Sequence, residues 1–307
     1  MKFNKLKYFK YLLILLVVIL CFTLFIFFIN SKKTISTYSS VDINKKHLID
    51  LTGDGVNETI EVIQSDNSYD VKITTQKSTI LLSSLLEDNF LCSNGEGNIF
   101  KLRFINISRD NKPEILIQGI KNNSTINYLF SYNNNFELTL QNSNNVCGVI
   151  DSNLNKTPQF ISLNYNKNKE NLRSNMIINN ELINSTRDSL VVPGIDSIIP
   201  LINYINLDVE VESHPDVFTD SISSKDLSNL WKLDKSNFSY KLIDGFFFDT
   251  EIDDNGDITE CNYTLYFNRK NLKDNTIEPF NVEVTLNKDY YNNTLRISKM
   301  NFFFNKK

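Results

Sequence analysis

The chain has 307 residues, of which 41% are hydrophobic and 12% aromatic, values that are typical of a globular protein and exclude a disordered one. Six of its 32 basic residues are lysines within residues 1–33, so the region from Thr34 onward holds 26 basic against 36 acidic residues, a formal charge of about −10. Because phosphate binding needs clustered Lys and Arg, such an acidic body excludes nucleic acid as a partner.

The first predicted element is an uncharged apolar run over residues 11–29. At 1.5 Å per residue it makes a helix about 28 Å long, close to the thickness of the hydrocarbon core of a membrane. A signal peptide would have a shorter core and small residues at its cleavage site, and a lipoprotein would have a small residue before its cysteine, where this chain has Leu20 before Cys21. We therefore predict a single-pass transmembrane anchor, preceded by a cytoplasmic tail over residues 1–10 and followed by a tether over residues 30–40.

The lysines around this anchor predict its orientation. Four lysines precede the apolar run and two follow it. Because positively charged flanks stay on the cytoplasmic side, we expect the N-terminus in the cytoplasm and the body outside the cell membrane.

An acidic loop follows the tether. Residues 50–58 read DLTGDGVNE and are followed at once by the alternating strand pattern TIEVI. Oxygen-bearing side chains stand at alternate positions, and glycines supply the positive φ angles that a tightly curled loop needs. Calcium takes about six to eight oxygen ligands, so this spacing predicts a weak, structural calcium site. The predicted ligand positions are Asp50, Thr52, Asp54, Val56 and Glu58.

A second interpretation of the same loop remains open. The segment is also typical of a glycine-rich turn, in which Asp and Thr side chains cap local backbone groups without any metal. The two interpretations differ in what the carboxylate oxygens contact.

Two later segments repeat this loop. Residues 106–114, NISRDNKPE, match it at a distance of 56 residues, and residues 151–159, DSNLNKTPQ, follow after another 45. The ligand positions hold three carboxylates in the first copy, two in the second and one in the third. Because calcium affinity follows ligand charge, only the first copy is predicted to bind metal. Arg109 and Lys112 bring positive charge to the second copy, where we expect side chains to cap the backbone.

The order Asp-x-Thr-Gly-Asp-Gly-x-x-Glu before a strand resembles the calcium loop of FG-GAP/VCBS-type repeats. In that family such loops join strands of β-propeller blades, in integrin α-subunits and in many bacterial surface proteins. The resemblance implies a mainly β fold with degenerate propeller-like repeats over residues 41–190. Hairpin patterns between the loops, such as residues 127–132 and 136–140, fit blades of about three or four strands.

Residues 191–307 are predicted to form a β-rich region with two short helices. Asp196 is the predicted cap of the first helix, and Ser223 is that of the second, on which Trp231 faces the core. Two strand pairs follow, as closing blades or as a separate small domain, and we favour closure. The acidic segment 253–257, DDNGD, with a glutamate three residues later, could form a further cation loop, but an Asn-Gly hairpin turn explains the same residues better.

The cysteine and histidine residues form no recognisable site. Outside the apolar run, Cys92, Cys147 and Cys261 are widely spaced, which favours buried free thiols over one disulfide bond. His47 and His214 fit no metal-binding pattern and are expected at the surface or in capping positions.

The sequence contains no G-x-S-x-G elbow, no Walker loop and no Cys/His set with metal-ligand spacing. The leading hypothesis is therefore a non-catalytic, membrane-tethered extracytoplasmic binding or scaffold protein with an unknown protein or envelope partner. The alternative is a cell-envelope enzyme that acts on polysaccharide through an unrecognised carboxylate pair. A third hypothesis is a sensor that needs a signalling partner within the membrane.

Overall fold

A computed structural model describes residues 38, 40–110, 112–151, 157–167, 171–209 and 213–304. These residues belong to one compact unit that begins at Tyr38. The predicted anchor, residues 11–29, lies outside the described ranges. Within them, no helix combines the length and the apolar character needed to cross a membrane.

The described residues form three β-sheets, so the predicted mainly β class is confirmed. The first sheet contains β1 (His47–Ile49), β2 (Glu58–Gln64), β3 (Ser68–Thr74), β4 (Thr79–Leu81) and β5 (Cys92–Ser93). The second contains β6 (Lys101–Ile105), β7 (Glu114–Lys121), β8 (Ser124–Asn133) and β9 (Asn135–Asn142). The third contains β10 (Val146–Ile150), β11 (Gln159–Leu163), β12 (Arg173–Ile178), β13 (Glu181–Asn184), β14 (Phe238–Ile252), β15 (Ile258–Asn271), β16 (Ile277–Asp289) and β17 (Thr294–Phe304).

The sheets stack as layers with the second sheet in the middle. Successive side chains of a strand point to opposite faces, and in β7 both faces are buried. Ile115 and Ile117 pack into the hydrophobic core shared with the first sheet, whereas Leu116 packs into the core shared with the third. The far face of the third sheet is covered by helix α1 (Ile195–Asn206).

The third sheet joins the third repeat to the C-terminal region. Its strand order is β13-β12-β11-β10-β14-β15-β16-β17, and β10 and β14 are parallel. Their backbones approach closely, because a Cβ atom at Gly148 would lie 2.3 Å from the carbonyl oxygen of Phe247. The C-terminal strands therefore continue the sheet of the third repeat. The described sheets are open, so the closure that we favoured from the sequence is not seen in this part of the chain.

Helix α1 begins differently from the prediction. Its N-cap is Gly194, with a φ of 68°, and Asp196 lies in the first turn instead. A Cβ atom at position 194 would lie 2.6 Å from a methyl carbon of Leu286, so both the backbone angle and the close packing require glycine. The predicted apolar face is confirmed, since four residues of it are buried: Ile198, Leu201, Ile202 and Ile205.

The second helix, α2 (Ser224–Leu227), has the predicted cap: the Ser223 hydroxyl accepts a hydrogen bond from the Asp226 backbone N–H at 3.0 Å. Trp231 contradicts the prediction, because it lies on a separate 3-10 turn, Leu230–Lys232, with 66% of its surface exposed. The helix ends at Leu227 after one turn, so the helical spacing that predicts a core position for Trp231 does not extend that far.

Candidate functional site

The three repeated loops occupy equivalent places in the fold. Residues 50–58 lead from β1 to β2, residues 106–114 lead from β6 to β7, and residues 151–159 connect β10 to β11. The loops are also neighbours in space. The stem of Lys112 in the second loop lies against Gly53 in the first, where a Cβ atom would come within 2.8 Å of it. The repeats thus bring the first two loops together at one edge of the layers, and Arg109 of the second loop pairs with Asp151 at the start of the third.

A buried glutamate closes each of the first two loops. Glu58 is 2% exposed, and its carboxylate accepts the backbone N–H of Leu51 at 2.7 Å. Glu114 is also 2% exposed, and its carboxylate accepts the backbone N–H of Ile107 at 2.8 Å. In both loops the glutamate is the first residue of the outgoing strand and the N–H belongs to the residue seven positions earlier. We call Glu58 and Glu114 the loop glutamates.

The remaining carboxylates of the first loop bind its own backbone. Asp50 accepts the N–H of Gly53 at 2.7 Å and that of Gly55 at 2.9 Å, one through each oxygen. Asp54 accepts the N–H of Val56 at 2.8 Å. These contacts form the capped, glycine-rich turn that was the alternative to a calcium site. Each carboxylate oxygen nevertheless retains a further lone pair that could bind a cation.

Three of the five predicted calcium ligands line a groove of about 430 Å³ beside the first loop, whereas Asp50 and Val56 do not. The three are Thr52, Asp54 and Glu58, and Tyr132 and Phe136 also line the groove. Among the described residues, no three His, Cys, Asp or Glu side chains converge as a preformed metal site would require. Calcium binding at this loop therefore stays a prediction.

An ion pair stabilises the second loop. The Lys112 ammonium lies 2.9 Å from Asp110, which occupies the position of Asp54 in the first loop. Asp110 also accepts hydrogen bonds from the Ser108 hydroxyl at 2.7 Å and from the Lys112 backbone N–H at 3.0 Å. Partial burial acts to raise the pKa of Asp110, but Lys112 and Ser108 outweigh it and hold that pKa below its ordinary value. A lysine thus neutralises this loop, as its sequence suggested.

The pKa of Glu114 shifts in the opposite direction, because burial outweighs the hydrogen bonds there. Loss of hydration raises the pKa of this carboxyl above its ordinary value, although the hydrogen bonds from Ser108 and Ile107 act against the shift.

The third loop is held by a residue that the sequence did not reveal. Asp249 in β14 is buried and accepts the backbone N–H of Asp151 at 2.8 Å. The Arg109 guanidinium pairs with the Asp151 carboxylate and donates to its carbonyl oxygen at 3.0 Å. Residues 152–156 of this loop lie outside the described ranges. The acid that binds this loop comes from a distant strand, so no local pattern signals it.

The acidic segment 253–257 is a hairpin turn between β14 and β15, as we expected. Asp253 accepts the backbone N–H groups of Asn255 and Asp257, each at 3.0 Å. The Lys288 ammonium lies 3.0 Å from Asp253 and 3.2 Å from Asp257. As in the second loop, a lysine supplies the positive charge.

Where the chain enters the body, it is bound by a buried arginine. Arg103 donates to the carbonyl oxygen of Tyr38 at 3.0 Å, to the Gln118 side chain at 2.5 Å and to the Tyr266 hydroxyl at 3.2 Å. Asp244 lies nearby, with both carboxylate oxygens buried and without a hydrogen-bond partner. Burial raises the pKa of Asp244 to about 6 against the opposing charges of Arg103 and Lys101.

The three cysteines of the body are buried free thiols, which confirms the prediction. Burial raises the pKa of Cys92 to about 12 and shifts those of Cys147 and Cys261 in the same direction. The thiolate is the reactive form of cysteine, and the raised pKa values disfavour it. These three thiols therefore pack as small apolar side chains.

No protein-family model matches the chain, and no curated protein shows significant similarity to it.

Proposed function

We propose that the protein is a membrane-tethered, extracytoplasmic binding or scaffold protein whose body is a stack of degenerate FG-GAP/VCBS-type blades. One observation carries this proposal: the loop glutamates recur 56 residues apart and bind the backbone in the same way between equivalent strands. Such a repeat presents its loops side by side at one edge, where a partner can contact several of them at once.

The predicted tether between the anchor and the body is short. Only eight residues, 30–37, lie between the end of the predicted anchor at Ile29 and Tyr38, whose carbonyl oxygen is bound by Arg103. The nine Cα–Cα steps across them span at most about 30 Å when fully extended.

Structural calcium is the second part of the proposal. The first loop carries three carboxylates at its ligand positions and has no lysine at the position of Lys112. A calcium ion bound to the remaining lone pairs of these carboxylates would link the first loop to the groove beside it. The expected affinity is weak, with a Kd of about 0.1–1 mM, as in other extracellular modules.

Cell fractionation tests the location. The full-length protein with a C-terminal epitope tag should stay in the membrane pellet after alkaline carbonate washing. In intact cells stripped of their wall, added protease should remove the tag, while a cytoplasmic marker stays intact. Recovery in the soluble fraction, or a tag that is protected until the cells are lysed, would contradict the proposal.

A thermal melt tests the calcium site. The full-length protein in detergent should melt at a higher temperature as calcium rises to several times the Kd, and EDTA should reverse the shift. Asp54→Ala should abolish the response. Asp110→Ala, the matched change in the neutralised second loop, should retain it. A flat response in the unmodified protein would leave the first loop as a turn.

A further inference from the structure

A second polar cleft lies far along the chain from the repeated loops. It opens between the turn that joins β16 to β17 and the segment 216–221, and it encloses about 660 Å³. This volume falls within the range of small-molecule sites, about 300–1,000 Å³. The lining residues are Asp216, Thr219, Asp220, Ser221, Asn287, Lys288, Asp289, Tyr290, Tyr291, Asn292 and Arg296.

Hydrogen bonds within the protein fix both walls of the cleft. On one side, Asp289 accepts the backbone N–H of Tyr291 at 3.0 Å and the side-chain amide of Asn292 at 2.8 Å. On the other side, the backbone N–H of Thr219 donates to the carbonyl oxygen of Ile297 in β17 at 2.9 Å. A preformed site loses less conformational entropy when a ligand binds.

Two adjacent tyrosines stand at the rim of this cleft. Tyr290 is 76% exposed and Tyr291 is 95% exposed. Rings so exposed add nothing to the core, and paired exposed aromatics beside a polar cleft are typical of a recognition surface. The face of a tyrosine ring carries partial negative charge. It therefore attracts the weakly positive C–H groups on the face of a sugar ring.

The charges of the cleft select against anionic ligands. Lys288 is neutralised by Asp253 and Asp257, and Arg296 pairs with Asp216. The lining holds three aspartates against two basic residues, so no positive charge is left over for a phosphate or a uronate. Hydroxyl, amide and carboxylate groups remain, and these exchange hydrogen bonds with sugar hydroxyls.

We propose that this cleft binds a neutral oligosaccharide, with one pyranose ring stacked on Tyr291 and its hydroxyls bonded to the polar groups of the cleft. The proposal names a ligand class for the binding protein proposed above and in that respect rests on it. The site itself lies on β16, β17 and the segment 216–221, apart from the repeated loops.

Isothermal titration calorimetry tests the site on the full-length protein, in a detergent without a sugar headgroup. The probes are neutral hexasaccharides of β-1,4-glucose, β-1,4-xylose and β-1,4-N-acetylglucosamine, with hexagalacturonate as the acidic comparison. We expect saturable binding of at least one neutral probe with a Kd of about 10 μM to 1 mM. Hexagalacturonate should bind at least tenfold more weakly.

Variants decide whether the cleft is responsible. Tyr291→Ala lies at the tip of an exposed turn, so it should leave the melting temperature unchanged and weaken binding at least tenfold. Trp231→Ala removes another exposed aromatic side chain, outside the cleft, and should leave binding intact. No binding of any neutral probe at 10 mM, binding that survives Tyr291→Ala, or a preference for the acidic probe would each overturn the proposal.

The outcome separates this inference from the proposed function. If the protein fractionates with the membrane, exposes its tag outside and yet binds no neutral sugar, only the sugar site is lost. If it binds sugar through Tyr291 but is recovered from the cytoplasm, the proposed function is wrong and the cleft stands.

Discussion

Two loops of the molecule, residues 50–58 and residues 106–114, connect equivalent strands and differ in charge. Both are closed by a buried glutamate that accepts a backbone N–H from the start of the loop. In the first loop Asp54 accepts the N–H of Val56, whereas in the second loop the equivalent Asp110 is paired with Lys112. The comparison separates two roles within one motif, because the glutamate holds the backbone and the other carboxylates set the charge.

Removal of the loop glutamates should have the largest effect. Glu58→Ala and Glu114→Ala each leave a buried backbone N–H without its acceptor, so each should lower the free energy of unfolding by about 3–4 kcal/mol. Circular dichroism during urea unfolding measures the loss. Glu→Gln at either site keeps an acceptor oxygen and should cost less than half as much. If Glu58 proves dispensable while Glu114 does not, the two loops do not share a role.

Asp244 can be compared with the loop glutamates, because its buried carboxylate oxygens have no hydrogen-bond partner. Asp244 has a pKa of about 6, above its ordinary 3.8, because it is buried. Between these values the folded protein binds more protons than the unfolded chain, so stability falls as the pH rises through this window. In the unmodified protein this group should lower the free energy of unfolding by up to about 3 kcal/mol between pH 4 and pH 7, and Asp244→Asn should remove that loss. Urea unfolding across that range measures it, and parallel pH profiles for the two proteins would contradict the prediction.

The glycines of the first loop test the contact between the loops. Gly53 and Gly55 both have positive φ angles, 75° and 85°, but only Gly53 faces the stem of Lys112. Gly55→Ala should cost about 1 kcal/mol from backbone strain alone, and Gly53→Ala about 2 kcal/mol from strain and displacement of the lysine. The melting temperatures of the two variants give the comparison. Equal losses would mean that the stem of Lys112 moves aside without cost.

The ion pair of the second loop should have the smallest effect. Lys112→Met removes a partly exposed pair and should lower the free energy of unfolding at neutral pH by about 0.5 kcal/mol. The folded pKa of Asp110 is lowered, so the contribution of the pair is complete above pH 4 and is lost as the pH falls further. The variant and the unmodified protein should therefore converge in urea unfolding below that pH. A constant difference would assign the loss to packing of the lysine stem.

The parts of the fold that follow from local pattern were predictable. The alternation after each loop gave strands β2, β7 and β11, and the Asn-Gly turn gave the hairpin of β14 and β15. For the candidate site, the sequence identified the loop residues and the neutralising role of Lys112, since charge and spacing are local properties.

What the sequence did not reveal depends on contacts between distant segments. The bond from Asp249 to the third loop joins residues 98 positions apart, and the pairing of β10 with β14 crosses a similar distance. The exposure of Tyr290 and Tyr291 is likewise decided by where their turn lies in the assembled sheet. The Asn-rich segment around them predicts a turn but not the cleft that this turn borders.

The parallel pairing of β10 with β14 also sets an order of events during synthesis. The first two sheets contain only residues that precede β10, so they can form while the rest of the chain is still being made. β10 must wait for a strand that ends at Ile252, about 100 residues later. At about 5–20 residues per second, that interval lasts about 5–20 s. During it, one edge of β10 stays without its neighbour, so a nascent chain stalled in this window would be open to edge-to-edge aggregation.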